Sequence, residues 1–525
     1  MNVLFISIDS LRRDYLGAYR DRPQGVDYEV ETPNLDRFAD RAATFETHYA
    51  GSLPCMPARR EWLAGIQEFL WRPWGPMEAF DRSVPEIARR EGILTQLVTD
   101  HYHYFQHGSH GYYEDFTGFE FVRGHEYDAW QTAPRDPDER LYEQSATPEA
   151  DPPTDPGYVN RTMYARNAAR LGLDDPDADE ADFFGPRILS RTAEWLRENR
   201  EWDQWFCYVD SFDVHEPFHC PEPYASMYTD EDPTDPDLPF WPYYGRVDEG
   251  QSALDERELD FVASQFAGKV TMVDRWFGEV LDALDEEGLW DETAVIVTSD
   301  HGFLLGEHGW VGKNESPVYD VLARTPLFVH LPEGSRTGES RMGESVEALT
   351  SAVDLYPTLL DLLDLDVPEW THGHSLRPLL EESAESVRNW ALYGYWGSSM
   401  NVTDGRYTYL HPTDPEAHSY CYSTTMMNAL RFSVPTTPKT EAEAGAFLPY
   451  TDAPVWRYGT PSREQNEQPK LFDSADDPEQ TTNLAGTDDE RHGEMKDLLA
   501  DALGAMDAPD WQYDRLGLDA PTGEG

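Results

Sequence analysis

The feature that most restricts this chain is a short, unbroken apolar run ending in Asp or His, and it recurs. Val3-Leu4-Phe5-Ile6-Ser7-Ile8 leads into Asp9, and Ile93 to Thr99 leads into Asp100-His101-Tyr102-His103. Trp205-Phe206-Cys207-Tyr208-Val209 ends at Asp210, with Asp213-Val214-His215-Glu216-Pro217 just beyond. Ala294-Val295-Ile296-Val297-Thr298 runs into Ser299-Asp300-His301-Gly302. Runs this short and this apolar read as strands buried on both faces, the pattern of parallel strands. A single strand with a polar end is an ordinary turn. Four of them, separated by helical patterns, predict a parallel sheet with a site along one edge, because ligands of such sheets gather at the carboxyl ends of strands. Leu327-Phe328-Val329-His330 reads as a fifth strand.

Thr32-Pro33-Asn34-Leu35 has the form of a capped helix start with Pro at the first helical position. The stretch from Pro134 to Asp182, rich in Asp, Pro, Glu and Thr, reads as a solvated excursion. After about residue 385 the texture changes. Leu392 to Trp396, Asn401 to Leu410 and Leu471-Phe472-Asp473 read as short antiparallel strands, a helix follows near Glu490 to Leu503, and the tail after Asp514 reads as loose. The 525 residues are thus expected to form a large α/β domain over 1–385 and a smaller C-terminal subdomain over 386–525, with a short antiparallel sheet and a terminal helix.

Charge decides the partners. A net charge of -59 suggests disorder in a chain poor in aromatics, but 13% of these residues are aromatic, so the charge belongs to a surface. Lysine occurs only at Lys269, Lys313, Lys439, Lys470 and Lys496. Molar salt shortens the Debye length to about 3 Å and removes most of the self-repulsion such a surface generates. The composition resembles that of salt-in halophiles, especially haloarchaea. Nucleic acid and anionic membranes are poor partners for it. Met1 leads straight into the first apolar run, with no basic stretch before it, and the run is too short for a signal core or a membrane span. Cys55, Cys207, Cys220 and Cys421 lack metal-knuckle spacing and are too few for a disulfide scaffold. The expectation is a cytoplasmic enzyme.

The chemistry concentrates at Cys55-Met56-Pro57-Ala58-Arg59, followed by Ala64-Gly65. This segment resembles the C-x-P-x-R signature of the formylglycine-dependent sulfatases of the alkaline-phosphatase-like superfamily, in which the cysteine becomes an aldehyde after synthesis. The likeness continues in order. Asp9-Ser10-Leu11-Arg12-Arg13-Asp14 is similar to the family's first metal motif, and Thr32-Pro33-Asn34-Leu35-Asp36 to its first helix. Ser299-Asp300-His301-Gly302, Leu305-Gly306-Glu307-His308-Gly309, Lys313 and Arg324-Thr325-Pro326 follow its second metal motif. Asp354 to Asp361 resembles its late helix, and Leu471-Phe472-Asp473 through Asn483-Leu484-Ala485 its C-terminal signature. There are departures: Ala58 and Ala64 replace the usual Ser and Thr, Ser10 stands for a second Asp, His301 for Asn or Gln, and His101 for a lysine.

The resemblance implies an α/β/α sandwich with a mostly parallel sheet and a smaller antiparallel C-terminal sheet. It implies hydrolysis of a sulfate ester, on a small molecule or a carbohydrate, to alcohol and sulfate. One divalent metal would be held by Asp9, Ser10, Asp300, His301 and residue 55, with Ca²⁺ expected first and Mn²⁺ or Mg²⁺ as alternatives. Cys55, converted to formylglycine by a maturation enzyme, would be the nucleophile and Arg59 would steady it. Lys313 and His215 would contact the sulfate, with His215 as a general acid, and His103 would be the base that collapses the sulfated hydrate. His107, His110 and His125 crowd the same region without an assigned role. Two rivals remain. One is a phosphonate monoester or phosphodiester hydrolase of the same superfamily; the other is a non-catalytic acidic ion-binding protein, which leaves the coexistence of Cys55, Arg59 and Lys313 unexplained.

Overall fold

All five apolar runs form strands, and they lie side by side in one eight-stranded sheet. The structure, a computed structural model, describes all residues except 20–25, 107, 146–155, 336–339, 429–435, 464 and 521–525. The strand order is Ser345–Val346, Ala43–Phe45, Leu327–His330, Thr293–Thr298, Asn2–Ile8, Trp205–Ser211, Leu94–Thr99, Gly118–Phe121. Asn2–Ile8 sits inside, parallel to Trp205–Ser211 on one side and Thr293–Thr298 on the other. Leu327–His330 runs antiparallel to both of its neighbours. The sheet is therefore mixed but mostly parallel, and the three runs that end in Asp9, Asp210 and Asp300 finish together.

Alternation along the first strand divides the interior in two. Leu4, Ile6 and Ile8 point into a core shared with the helices Pro33–Ala39, Phe184–Asn199 and Glu256–Glu286. Val3 and Phe5 point the other way, against Cys55–Ala64, Val84–Arg90 and Leu355–Leu362. Helices thus cover both faces. Glu256–Glu286 begins with a reciprocal cap between Asp255 and Glu258. Its Asp274 also caps a neighbour, accepting from Asn34 N–H at 3.1 Å and Leu35 N–H at 2.7 Å. Thr32, expected to cap Pro33–Ala39 itself, instead accepts from Gly17 N–H at 3.1 Å.

The C-terminal part carries a five-stranded sheet ordered Lys470–Asp473, Tyr407–His411, Met400–Thr403, Ala391–Tyr395, Ser52–Leu53. Its last strand comes from the segment just before Cys55 and pairs Gly394 with Ser52 and Tyr395 with Leu53. The expected strand Asn401 to Leu410 is a hairpin. Asp404-Gly405 turns it, with Gly405 at φ +93° where a side chain is disfavoured. The helix Asp489–Ala505 packs on this sheet through Met495, Leu499 and Leu503.

Two other expectations need correction. The stretch Pro134 to Asp182 holds the helices Glu139–Glu143 and Pro156–Leu171, and Tyr164, Ala165 and Ala168 of the second are buried in the main core. The residues just after Asp514 are anchored, with Arg515 and Leu516 buried in the helix Asp510–Leu516, while the rest of the expected loose tail, 521–525, lies outside the described residues. Among the described residues no helix is long and apolar enough to cross a membrane.

Candidate functional site

Asp9 follows the first strand, where its N–H is held by the Ser211 carbonyl at 2.9 Å. Ser10 adopts φ +61°, which turns the chain sharply and aims its N–H at Asp300 Oδ1, 3.0 Å away. The same oxygen accepts from His301 N–H at 2.9 Å, so two backbone donors fix the Asp300 carboxylate. Gly302 completes the motif for a steric reason: a Cβ there would collide with the Val321 carbonyl. Cys55 opens the helix Cys55–Ala64, and Arg59 lies one turn on, donating from Nη1 to the Cys55 carbonyl at 3.1 Å.

These elements bring seven of the expected residues together. One potential ligand atom from each of Asp9, Cys55, Asp300 and His301 lies within 4.8 Å of the others, and all four residues are buried. Cys55 Sγ is 3.4 Å from His301 Nε2 and 3.5 Å from Lys313 Nζ. Lys313 Nζ also lies 3.4 Å from Ser10 Oγ and 3.8 Å from Asp9 Oδ1. Its backbone carbonyl accepts from Tyr395 O–H, which ties the lysine to the C-terminal sheet. Arg59, fully buried, faces three carboxylates: Nη1 on Asp300, Nη2 2.9 Å from Asp9, and Nη2 and Nε on Asp210 at 2.8 and 3.2 Å. Asp210 also accepts from Ser7 Oγ at 2.7 Å and Tyr104 O–H at 2.6 Å.

The electrostatics suit a cation. Burial pushes the Asp9 carboxyl well above its usual range, and Asp300 adds to this, outweighing Arg59 and Lys313. Burial acts on Asp300 too, but His301, Arg59 and Lys313 overcome it and hold that carboxyl below the ordinary range. The pair therefore resists carrying two negative charges until another positive charge joins it. Asp9 Oδ2 is buried, and its near neighbours are Arg59 Nη2 at 2.9 Å and His101 Nε2 at 3.8 Å. His301 is held neutral, its value lowered to about 3 chiefly by burial, and its Nδ1 sits 2.9 Å from the Gly302 carbonyl. That bond places the proton on Nδ1 and leaves the Nε2 lone pair facing Cys55. Two carboxylates and a neutral imidazole with its lone pair inward, gathered around residue 55, are a donor set that fits a divalent metal. The Cys55 thiol is pushed well up, first by burial and then by Asp9, so an unmodified Cys55 holds its proton.

His103 and His215 line a cavity of about 360 Å³ that opens beside Cys55 and Lys313. Burial lowers His103 to about 3 and His215 well below its usual value. His103 Nδ1 is bonded to Gln106 Oε1 at 2.7 Å and His215 Nδ1 to the Glu216 carbonyl at 2.8 Å, so both present Nε2 as the bare nitrogen. His101 is also held neutral by burial, so it does not replace the positive charge of a lysine. His125 stands further back, 2.7 Å from Asp213, and His107 lies outside the described residues. Trp74, Tyr127, Trp241, Tyr243 and Tyr244 are the aromatic residues of the cavity wall.

Several residues of the site escape the sequence reading. Asp210 was legible as the end of a buried strand, yet its pairing with Arg59 was not. Lys269 carried the same rarity signal as Lys313. It is buried, forms an ion pair with Asp213 and donates to the carbonyls of His215 and Pro217 at 3.0 and 2.7 Å, holding the His215 loop in place.

Comparison with known proteins fits this geometry. The Sulfatase family model matches residues 1–365, and the chain belongs to the sulfatase family. It is 26% identical over 400 residues to the uncharacterized sulfatase YidJ of Escherichia coli, covering 72% of this chain and 71% of that one. It is 27% identical over 431 residues to the multifunctional alkaline phosphatase superfamily protein PehA of Trinickia caryophylli, covering 73% and 78%. The phosphonate monoester hydrolase of Agrobacterium radiobacter shares the fold, with a TM-score of 0.63 at 22% identity over 96% of each chain. The architecture is the alkaline-phosphatase-like α/β fold.

Proposed function

We propose that the chain hydrolyses sulfate esters to an alcohol and inorganic sulfate, with residue 55 acting as formylglycine. The observation that carries the reading is the placement of Cys55 at the head of a buried helix, within reach of Asp9, Asp300, His301 and Lys313 at once. A thiol held protonated is a poor nucleophile, so this position makes chemical sense when the sulfur has been exchanged for an aldehyde. Formylglycine, when present, supplies a hydrated carbon whose hydroxyl attacks sulfur, dividing one hard displacement into two easier steps.

A divalent cation, Ca²⁺ in first place with Mn²⁺ or Mg²⁺ as alternatives, would be held by Asp9, Asp300, His301 and the oxygen of residue 55. It would supply Lewis-acid charge to the ester oxygens. Ser10 Oγ, which donates to Asp9 Oδ1 at 2.8 Å, orients that carboxylate. Arg59 holds Asp9, Asp210 and Asp300 in register. Burial acts against the Lys313 ammonium, but the Asp9, Glu216 and Asp300 carboxylates favour it, and it would sit against the sulfate and the leaving oxygen. His215 would bind the ester beside it and pass a proton to the departing alkoxide once the bound anion has raised its affinity for one. His103, with a bare Nε2, would accept the hydroxyl proton as sulfate is expelled.

Arg59 is matched by three carboxylates and His101 is neutral, so Lys313 is the principal fixed positive charge facing the ester. That balance favours a singly charged group and keeps a second reading in view, a phosphonate monoester or phosphodiester. A non-catalytic ion-binding protein gains nothing from setting Lys313 and Arg59 against Cys55. The acidic surface is read as adaptation to molar salt in a cytoplasm, where a maturation enzyme would act on Cys55.

The test is mass spectrometry of the tryptic peptide ending at Arg59, from protein made in a host that converts such cysteines. An aldehyde at residue 55 is expected, and turnover of 4-nitrophenyl sulfate should exceed that of a phenylphosphonate monoester. An intact thiol throughout, in active protein, removes the proposed nucleophile.

A further inference from the structure

Two buried carboxyl side chains in the cavity touch neither the ester nor the metal in the proposed sulfate-ester hydrolysis. Glu126 is 4% exposed and Glu216 2% exposed, and both line the cavity that holds Cys55 and Lys313. One oxygen of each, together with a ring nitrogen of His215, falls within 4.8 Å of the others. Oε2 of each glutamate is buried and makes no hydrogen bond of good geometry, with a neutral imidazole near it: His103 Nε2 at 3.6 Å for Glu126 and His215 Nδ1 at 3.2 Å for Glu216. Glu216 Oε1 accepts from Tyr244 O–H, which fixes that side chain. Glu126 sits at φ +42°, a left-handed conformation that a non-glycine residue adopts at a cost, and such strain collects at functional positions.

The placement is unfavourable for a plain anion. A sulfate ester held at Lys313 would lie beside two carboxylates, which repel it. Lys313 offsets them in part, but it is shared with Asp9 and Asp300. Arg161 is turned away, donating to the carbonyls of Ser145, Trp241 and Pro242 and stacking over Trp241 and Tyr243. Burial, with Glu216 beside it, pushes the Glu126 carboxyl well up, as expected of a pair awaiting a cation.

We propose that Glu126 and Glu216 bind an ammonium group on the alcohol half of the ester, so that the substrate is the sulfate ester of an amino alcohol. One nitrogen between two oxygens no more than 4.8 Å apart can donate to each at ordinary N–H···O lengths of about 2.8 Å. Tyr127, Trp241 and Tyr244 line the same wall, so the space around the cation is aromatic. His215 belongs to the glutamate group and lines the same cavity as Cys55 and Lys313, so an amino alcohol with a short carbon chain would span the two. A quaternary ammonium has no N–H to donate and stands further from each oxygen. The inference rests on the reading that the sulfate lies at residue 55 and Lys313.

The experiment compares 2-aminoethyl sulfate with 2-hydroxyethyl sulfate, a probe pair of equal length differing in one charge. With the mature, metal-loaded enzyme, kcat/KM is expected to favour the amine by at least tenfold. In Glu126→Gln and in Glu216→Gln the ratio should fall to within about twofold of unity, whatever happens to the absolute rates. Calorimetric binding of the same two esters to Cys55→Ala protein repeats the comparison without turnover. An amine preference in binding with no hydrolysis of any sulfate ester would defeat the proposed activity and leave this inference standing. Equal binding of the two esters, or a preference that survives both substitutions, would overturn it. So would a second equivalent of Mn²⁺ bound by the wild type and lost in Glu126→Gln, which would make the cluster a metal site.

Discussion

Replacing Lys269 by Met should cost this protein about 3–5 kcal/mol, the range for removing one partner of a buried ion pair. Lys269 is 2% exposed, and its ammonium pairs with Asp213 while donating to two backbone carbonyls. Met keeps the length of the side chain and its packing but leaves Asp213 as a buried charge. That charge keeps its bond to His125 at 2.7 Å and the Gly185 N–H at 2.8 Å, which places the loss toward the lower end of the range. In the wild type, Lys269 and His125 overcome burial and hold the Asp213 carboxyl below its ordinary value. A depressed carboxyl contributes stability above its unfolded value, near pH 4, and loses it as the pH falls through the folded value. Without Lys269 the folded value rises, so the variant should recover part of its deficit as the pH is lowered from 8 to 5. The assay is denaturant unfolding in molar KCl at several pH values, with Asp213→Asn and the double variant completing the cycle. The double variant should be more stable than Lys269→Met alone, since no charge is stranded. A loss below about 1 kcal/mol, or a double variant no better than the single, would refute the account.

Two further outcomes follow from the site. Gly302→Ala should destabilise the protein by about 2 kcal/mol or more and lower metal affinity, because the new methyl meets the Val321 carbonyl beside His301; thermal melting and Mn²⁺ calorimetry measure the two effects. His301→Ala should weaken divalent-metal binding at least tenfold, and chelator should lower the wild-type melting temperature but leave the variant's nearly unchanged. Equal chelator shifts in both proteins would remove His301 from the ligand set.

The strand ends were legible because burial on both faces forces a run of apolar residues, and a polar residue at its end is then conspicuous. Asp9, Asp210 and Asp300 stand out for that reason. The hairpin around Asp404-Gly405 was hidden by the apolar and Thr-rich residues on either side, although the Asp-Gly pair is itself a turn signal. Pro156–Leu171 was hidden by the acidic, proline-rich stretches that flank it. Gly118–Phe121, an edge strand with partly exposed residues, has no apolar run to reveal it. Glu126 and Glu216 illustrate a harder limit. Among 100 acidic residues, two that point inward look like all the others, and their loop positions carry no periodicity. Only folding separates them from the surface.

The pairing of Ser52–Leu53 with Ala391–Tyr395 bears on the order in which the molecule is assembled. On the ribosome the segment before Cys55 emerges early and waits for a partner strand that is synthesised much later. Until then its edge is unpaired, and the Tyr395 hydroxyl that holds Lys313 has not been made. Contacts so far apart in sequence close slowly, and an open edge invites pairing with other chains. The pocket around Cys55 and Lys313 is therefore completed by residues that follow the main sheet in sequence, and a chain stopped before Ala391 would lack both the partner strand and the hydroxyl that finish it.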